Sequence, residues 1–131
     1  MLKSLLVKDY MTADPLAFTP EMDVLTAVHQ LLEHQLNGAP VVDAQGHLVG
    51  YFSERDGLKV ALNASYYEQP GGPLAQHMSR DVATLAADAS MADAVERFVG
   101  HHFHCYPVVD GGRLVGQLSR RDALKALEKL W

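Results

Sequence analysis

Apolar positions along the chain run through a helical period, two short extended stretches and a second helical period, and the whole series occurs twice. In the first half, Leu16-Ala17-Phe18 reads as a short extended piece and Thr19-Pro20-Glu21 resembles the entry to a helix. Val24, Leu25, Val28, Leu31, Leu32 and Leu36 then recur at the spacing of one helical face, and Asn37-Gly38 marks the end of that helix. Pro40-Val41-Val42 and His47-Leu48-Val49-Gly50-Tyr51-Phe52 read as two strands joined by the turn Asp43-Ala44-Gln45-Gly46, which is a hairpin signal. Ser53 opens a second helix, with Leu58 and Leu62 expected inward. The second half repeats the order, with a turn shortened to Asp110-Gly111-Gly112 and a last helix through Leu124, Leu127 and Leu130 to Trp131.

Alignment of the chain with itself makes the duplication explicit. Ala39-Pro40-Val41-Val42-Asp43 recurs as Tyr106-Pro107-Val108-Val109-Asp110, at an offset of 67 residues. Leu48-Val49-Gly50-Tyr51-Phe52-Ser53-Glu54-Arg55-Asp56 recurs as Leu114-Val115-Gly116-Gln117-Leu118-Ser119-Arg120-Arg121-Asp122, at an offset of 66. Upstream, Tyr10-Met11-Thr12 answers to His77-Met78-Ser79. The copies span 7–62 and 74–127, and residues 63–73, with their Pro-Gly-Gly-Pro cluster, read as the connector. A unit so short buries too little apolar surface to offset its chain entropy. The expected fold is therefore mixed α/β, in an α+β arrangement of two β-α-β-β-α repeats packed about a pseudo-two-fold axis.

Composition narrows the function classes. With 131 residues, 48% hydrophobic and 21% charged, the chain has a globular balance, and no stretch approaches the roughly 20 apolar residues of a membrane helix. The apolar start Met1–Val7 soon meets Lys8 and Asp9, too early for a signal-peptide core, so a cytoplasmic location without membrane association is expected. The lone Cys105 fits a reducing compartment and excludes a cysteine metal cage. A net charge of −5 argues against a broad nucleic-acid interface.

The Met-Thr or Met-Ser opening, the Pro-Val-Val-Asp strand and the Leu-Val-Gly-x-φ-Ser-x-x-Asp close, with φ apolar, stand twice in the same order. In these features the chain resembles the CBS (cystathionine β-synthase) domains, which usually occur as tandem pairs called Bateman modules. The resemblance covers nearly the whole chain. It implies a non-catalytic regulatory module with clefts for AMP, ADP, ATP, NAD or S-adenosylmethionine, often as a homodimer, acting on a regulated protein that the sequence does not identify. No cofactor is required. The adenine nucleotide is the regulatory ligand, with magnesium a candidate companion.

For such a ligand, Asp56 and Asp122 are candidate acceptors for a ribose diol, because one carboxylate can accept from two neighbouring hydroxyls. Ser53 and Ser119 lie three residues earlier at a helix start, where a hydroxyl and free N–H groups favour an anion. The same Ser-x-x-Asp is also a capping box, and the two roles can coexist. Gly50 and Gly116 are read as permitting close approach of a ligand. Arg120 and Arg121, with Arg55 beside Glu54 as the single counterpart, lie in a helical first turn where cations are unfavourable unless an anion is near.

The resemblance places base contacts on the first strand and around the pre-proline residue. These are Leu16, Ala17, Ala39 and Pro40 in one copy, and Ala83, Thr84, Tyr106 and Pro107 in the other. It also pairs the Asp of one copy with the base slot of its partner, so Asp122 goes with Leu16 and Ala39, and Asp56 with Ala83 and Tyr106. Ala39 and Gly38 leave more room than Tyr106 and Cys105, which favours the pocket of Asp122. Ordinary core packing is the competing account of the small and apolar residues, and solvated surface that of the arginines. Two other function classes stay in view. One is a ligand-free structural dimerisation module, for whose interface Leu127, Leu130 and Trp131 are suited. The other is a metal site at His101-His102-Phe103-His104-Cys105, whose spacing across a helix end is poor for converging ligands. No metal site is therefore expected.

Overall fold

The computed structural model describes residues 1–67 and 71–131, without the side chains of residues 64–67. Its elements run β1 (Thr12–Ala13), α1 (Val24–Glu33), β2 (Gly38–Val42), β3 (Leu48–Ser53), α2 (Glu54–Tyr67), β4 (Leu85–Ala86), α3 (Met91–Gly100), β5 (Cys105–Asp110), β6 (Arg113–Ser119) and α4 (Arg120–Glu128). The class is mixed α+β, as the periodicities predict. No helix among the described residues is long and apolar enough to cross a membrane.

Two compact units form, and they cross the repeat boundaries. One joins Met1–Pro15 to Ala83–Trp131, and the other is Leu16–Val82. In the first unit the sheet order is β1-β6-β5-β4, with β4 parallel to β5 and the other pairs antiparallel. The second unit has the β2-β3 hairpin, extended by single bridges from Phe18 to Val41, parallel, and from Tyr51 to Ser79, antiparallel. The same four-stranded order therefore recurs, Ser79-β3-β2-Phe18. The first strand expected at Leu16-Ala17-Phe18 is reduced to the bridge at Phe18, whose N–H donates to the Pro40 carbonyl at 2.9 Å.

Local chemistry explains the element ends. Helix α1 begins after the expected Thr19-Pro20-Glu21 entry, where Asp23 caps it, its carboxylate accepting from the Leu25 N–H at 2.8 Å. The helix stops before Asn37-Gly38. Gln35 takes the left-handed conformation at φ 55, the Leu36 N–H donates to the Leu31 carbonyl at 2.9 Å, and the Gln35 N–H donates to Leu32 at 3.3 Å. This reciprocal pair is a Schellman motif, with Leu36 packed against the cluster that contains Leu31. Gly38 instead begins β2. In the β2–β3 turn the Asp43 carboxylate accepts from the N–H groups of Gln45 and His47, both at 2.9 Å, and the His47 bond leads in holding its carboxyl below the usual range. The β5–β6 turn takes positive φ at Gly111 and Gly112, the conformation of a two-residue hairpin whose twist matches its strands. Helix α2 runs into the expected connector as far as Tyr67, since residues 63–67 contain neither Gly nor Pro, and Glu68, Gln69 and Pro70 lie outside the described residues.

Each unit has its own core, and the two correspond position by position. Phe18, Val24, Ala27, Leu31, Ala39, Val41, Phe52 and Leu74 in one match Leu85, Met91, Ala94, Phe98, Tyr106, Val108, Leu118 and Val7 in the other. Large and small exchange places: Ala39 lies with Phe18 and Phe52, whereas Tyr106 lies with Leu85 and Leu118. Leu58 and Leu62, expected inward, are exposed, as are Leu25 and Leu32 of α1. The apolar stripe is wider than the face each helix turns to its sheet.

A Cβ added at Gly50 would stand 2.5 Å from the Met78 sulfur, and one at Gly116 would meet the Met11 side chain and, at 2.9 Å, the Thr12 carbonyl. At Gly57 it would meet only ordinary contacts, Val28 at 3.4 Å and Phe52 at 3.8 Å, and Ala123 fills the equivalent place. Gly116→Ala is therefore expected to destabilise by about 1–3 kcal/mol, as overpacking does. Gly50→Ala should destabilise less, since only a flexible side chain must move, and Gly57→Ala should stabilise by about 0.5–1 kcal/mol. Urea denaturation of the three variants checks the order and the signs.

Candidate functional site

Both Ser-x-x-Asp segments form helix caps. At the entry of α4 the Ser119 Oγ accepts from the Asp122 N–H at 3.0 Å, while the Ser119 N–H donates to Asp122 Oδ2 at 2.9 Å. At the entry of α2 the Ser53 Oγ accepts from the Asp56 N–H at 3.2 Å, and the Ser53 N–H donates to Asp56 Oδ2 at 3.0 Å. The Ser53 hydroxyl lies 3.0 Å from that same oxygen. Each arrangement holds a carboxylate beside free N–H groups of a helix start, which compensates its charge.

The surroundings of the two carboxylates differ. Asp56 is 8% exposed and has the Ser79 hydroxyl 3.5 Å from both of its oxygens. Asp122 is half-buried, and among the described residues it forms only the reciprocal pair with Ser119, which leaves Oδ1 over. Ser79 lies outside the expected site residues. Its signal was the Met-Thr/Met-Ser recurrence, which equates it with Thr12, the residue paired with Gln117 on β6.

Other expected site residues fall elsewhere. The space a Cβ would take at Gly50 and Gly116 is occupied by the Met78 and Met11 side chains. Ala39 and Tyr106 are buried in the cores of their units, and the Tyr106 hydroxyl donates to the Arg97 carbonyl at 3.2 Å. Burial raises the Tyr106 hydroxyl above its ordinary pKa. Pro40 and Pro107 are buried in β2 and β5. Leu16, Ala17 and Thr84 are half-buried and Ala83 is exposed, while the Thr84 carbonyl accepts from the Arg97 guanidinium. Gly38 gives no extra room, because a Cβ there would stand 2.6 Å from the Tyr51 ring.

Arg120 is committed locally: its Nε donates to the Phe103 carbonyl at 2.8 Å and its N–H to the His104 carbonyl at 3.1 Å. Arg55 and Arg121 are exposed at the starts of α2 and α4. Ser119, Asp122, Arg120, Arg121, Gly116, Ala83, Thr84, Tyr106 and Pro107 belong to the first unit, and Leu16, Ala17, Ala39, Pro40, Gly50, Ser53, Arg55 and Asp56 to the second.

The His101–Cys105 segment does not converge on a metal geometry, and among the described residues no three His, Cys, Asp or Glu side chains do. Burial pushes the Cys105 thiol up to about 12, against the opposing effect of the Gln117 side chain and with a further rise from the Asp122 charge. A thiol so placed is no nucleophile at neutral pH. Two cavities of the first unit lie elsewhere: one of about 480 Å³ between α3 and α4, and one of about 700 Å³ beside Met1, Leu2 and Trp131. Neither is lined by Ser119 or Asp122.

Comparison with known proteins agrees with this architecture. A family model for the CBS domain matches the chain twice, over residues 7–63 and 74–129. The chain is similar to an uncharacterized 17.7 kDa protein of Acidianus ambivalens, 30% identical over 109 residues, which covers 82% of this chain and 64% of that protein. It is similar to the A-adding tRNA nucleotidyltransferase of Aquifex aeolicus, 32% identical over 123 residues, covering 94% of this chain and 14% of that enzyme. The chain thus spans less than two thirds of either relative. Among solved structures it is similar to CBSX2 in complex with AMP, at 26% identity and TM-score 0.85, covering 97% of this chain and 98% of that one. A CBS domain-containing protein of unknown function from Bacillus anthracis matches at 25% identity and TM-score 0.85, covering 98% and 96%.

The raised thiol predicts that Cys105 in the native protein resists alkylation at pH 7–8 and reacts faster as pH rises through the range above about 10. Mass spectrometry of iodoacetamide-treated samples, native and unfolded, measures the difference. A rapid native reaction at pH 7 would refute the buried, protonated thiol.

Proposed function

The chain belongs to the CBS domain family, and on that premise we propose that it is a non-catalytic regulatory module binding an adenosine-containing ligand at the entry of α4. The observation that carries the reading is the half-buried Asp122, held through Oδ2 by the Ser119 N–H with Oδ1 left over. A carboxylate already oriented by its cap can accept from a vicinal diol without losing the cap. The start of α4 and the exposed Arg121 complement a phosphate, and magnesium would accompany a polyphosphate. The likeness to CBSX2, solved with AMP, supports an adenosine ligand. Asp56, more deeply buried and approached by Ser79, is the poorer candidate. Regulation follows where the ligand binds two conformations with different affinity. The apolar side chains left exposed on all four helices support self-association of the chain.

AMP, ADP, ATP, NAD and S-adenosylmethionine are the ligands to test. One of them, at roughly 100 times its dissociation constant, is expected to add about 2.7 kcal/mol of stability and raise the melting temperature. Asp122→Asn should remove that shift at small cost to the unliganded protein, and Asp56→Asn should leave it. A flat response to all five ligands, together with a large loss of stability in Asp122→Asn, would leave the Ser-x-x-Asp segments as caps alone.

A further inference from the structure

Among the described residues, one buried side-chain oxygen has no hydrogen-bond partner, Oε1 of Gln117 on β6. Native proteins seldom leave a buried acceptor open, because water no longer solvates it. Leu118 lies in the core of the first unit, so its neighbours Gln117 and Ser119 lie together on the opposite face of the sheet. About 6.8 Å separates them along the strand. Ser119 caps α4 with Asp122, so the open oxygen belongs to the strand face that leads up to that carboxylate.

The amide leans toward the cap. Cys105 stands opposite Ser119 in the β5–β6 pairing, and the Gln117 side chain reaches the Cys105 sulfur, where it lowers the thiol's pKa as an N–H turned to sulfur does. The second unit shows the same lean. Tyr51 holds the equivalent place there, and its ring stands over Gly38, the residue opposite Ser53. With the amide nitrogen of Gln117 facing the sulfur, the oxygen is the group left to accept. The two copies differ at this place, with an amide in one and a phenol in the other.

We propose that Gln117 selects the base of the ligand held at Asp122, its Oε1 accepting a hydrogen bond from the 6-amino group of adenine. This assignment rests on the adenosine reading of the Asp122 site and adds the residue that reads the base. In an adenosine nucleotide the ribose hydroxyls and the 6-amino group donate, whereas the ring nitrogens and the phosphate oxygens only accept and have no proton to offer Oε1. The diol is the partner of Asp122, which leaves the amine for Gln117. A site built to bond one ligand group discriminates against an analogue without it, because its own polar atom is then left unpaired.

Isothermal titration of the full chain tests it with AMP and ATP, each against the purine riboside phosphate that lacks only the 6-amino group. The wild-type chain should bind the adenosine form about tenfold more tightly. Gln117→Met, of similar length but without the amide, should bind both forms alike with the purine riboside affinity unchanged, and circular dichroism establishes its fold. Equal affinity for the two forms in the wild-type chain overturns the assignment and leaves the Asp122 reading standing, as does a preference that survives in Gln117→Met. A chain that binds neither AMP nor ATP also overturns the assignment, and the five-ligand melting series above then decides the Asp122 reading separately.

Discussion

Each sheet is completed by a segment from the opening of the other repeat, and that segment can approach only because residue 50 or 116 carries no side chain. Ala13 pairs with Gly116, and the Met11 side chain occupies the volume a Cβ would need. Met78 does the same over Gly50, beside the bridge from Ser79 to Tyr51. The segments then bury Val7 in one core and Leu74 in the other, and their backbones bond to the turns before α3 and α1. A repeat cut at its sequence boundaries would lose a sheet edge and a core residue together. The compact unit and the repeat are for this reason different objects, and the tandem is the smallest piece with both sheets closed.

The helix entries show how one motif carries two duties. The cap alone accounts for the serine, the aspartate and their spacing, because it satisfies N–H groups that a helix start leaves open. What the cap does not determine is the second carboxylate oxygen. At Asp56 that oxygen lies in a nearly closed setting with Ser79 close by, and at Asp122 it lies in a half-open one. Closely similar caps thus hold two carboxylates of unequal exposure, and Ser79, on the segment laid beside β3, approaches Asp56.

Much of the fold was legible because it is periodic or duplicated. The repeats, the two hairpins and the core positions Val24, Leu31, Val41 and Val108 follow from spacing alone. The errors have physical causes. Helix α1 ends at Glu33, short of Asn37-Gly38, because a hydrogen-bonded reversal stabilises a left-handed Gln35 in place of a glycine. Leu58 and Leu62 are exposed because two layers cover less of a helix than its apolar stripe spans. The contrast between Ala39 and Tyr106, which in the sequence reads as a difference in ligand room, is matched in the cores by an exchange of volume, Phe18 against Leu85 and Phe52 against Leu118. The preference for Asp122 stands on another ground, its exposure.

Divergence between the copies is concentrated where the core exerts no control. Buried positions keep apolar character and trade volume, while the first turns of α2 and α4 differ in sign at Glu54 and Arg120. That first turn of α4 contains both Asp122, facing the proposed ligand, and Arg120, tied to the Phe103 carbonyl at the end of the α3/α4 groove. The two residues are joined by one rigid helical turn whose cap is the Ser119–Asp122 pair. The start of α4 thus ties the Ser119–Asp122 cap and the segment that follows α3 to one turn of the chain.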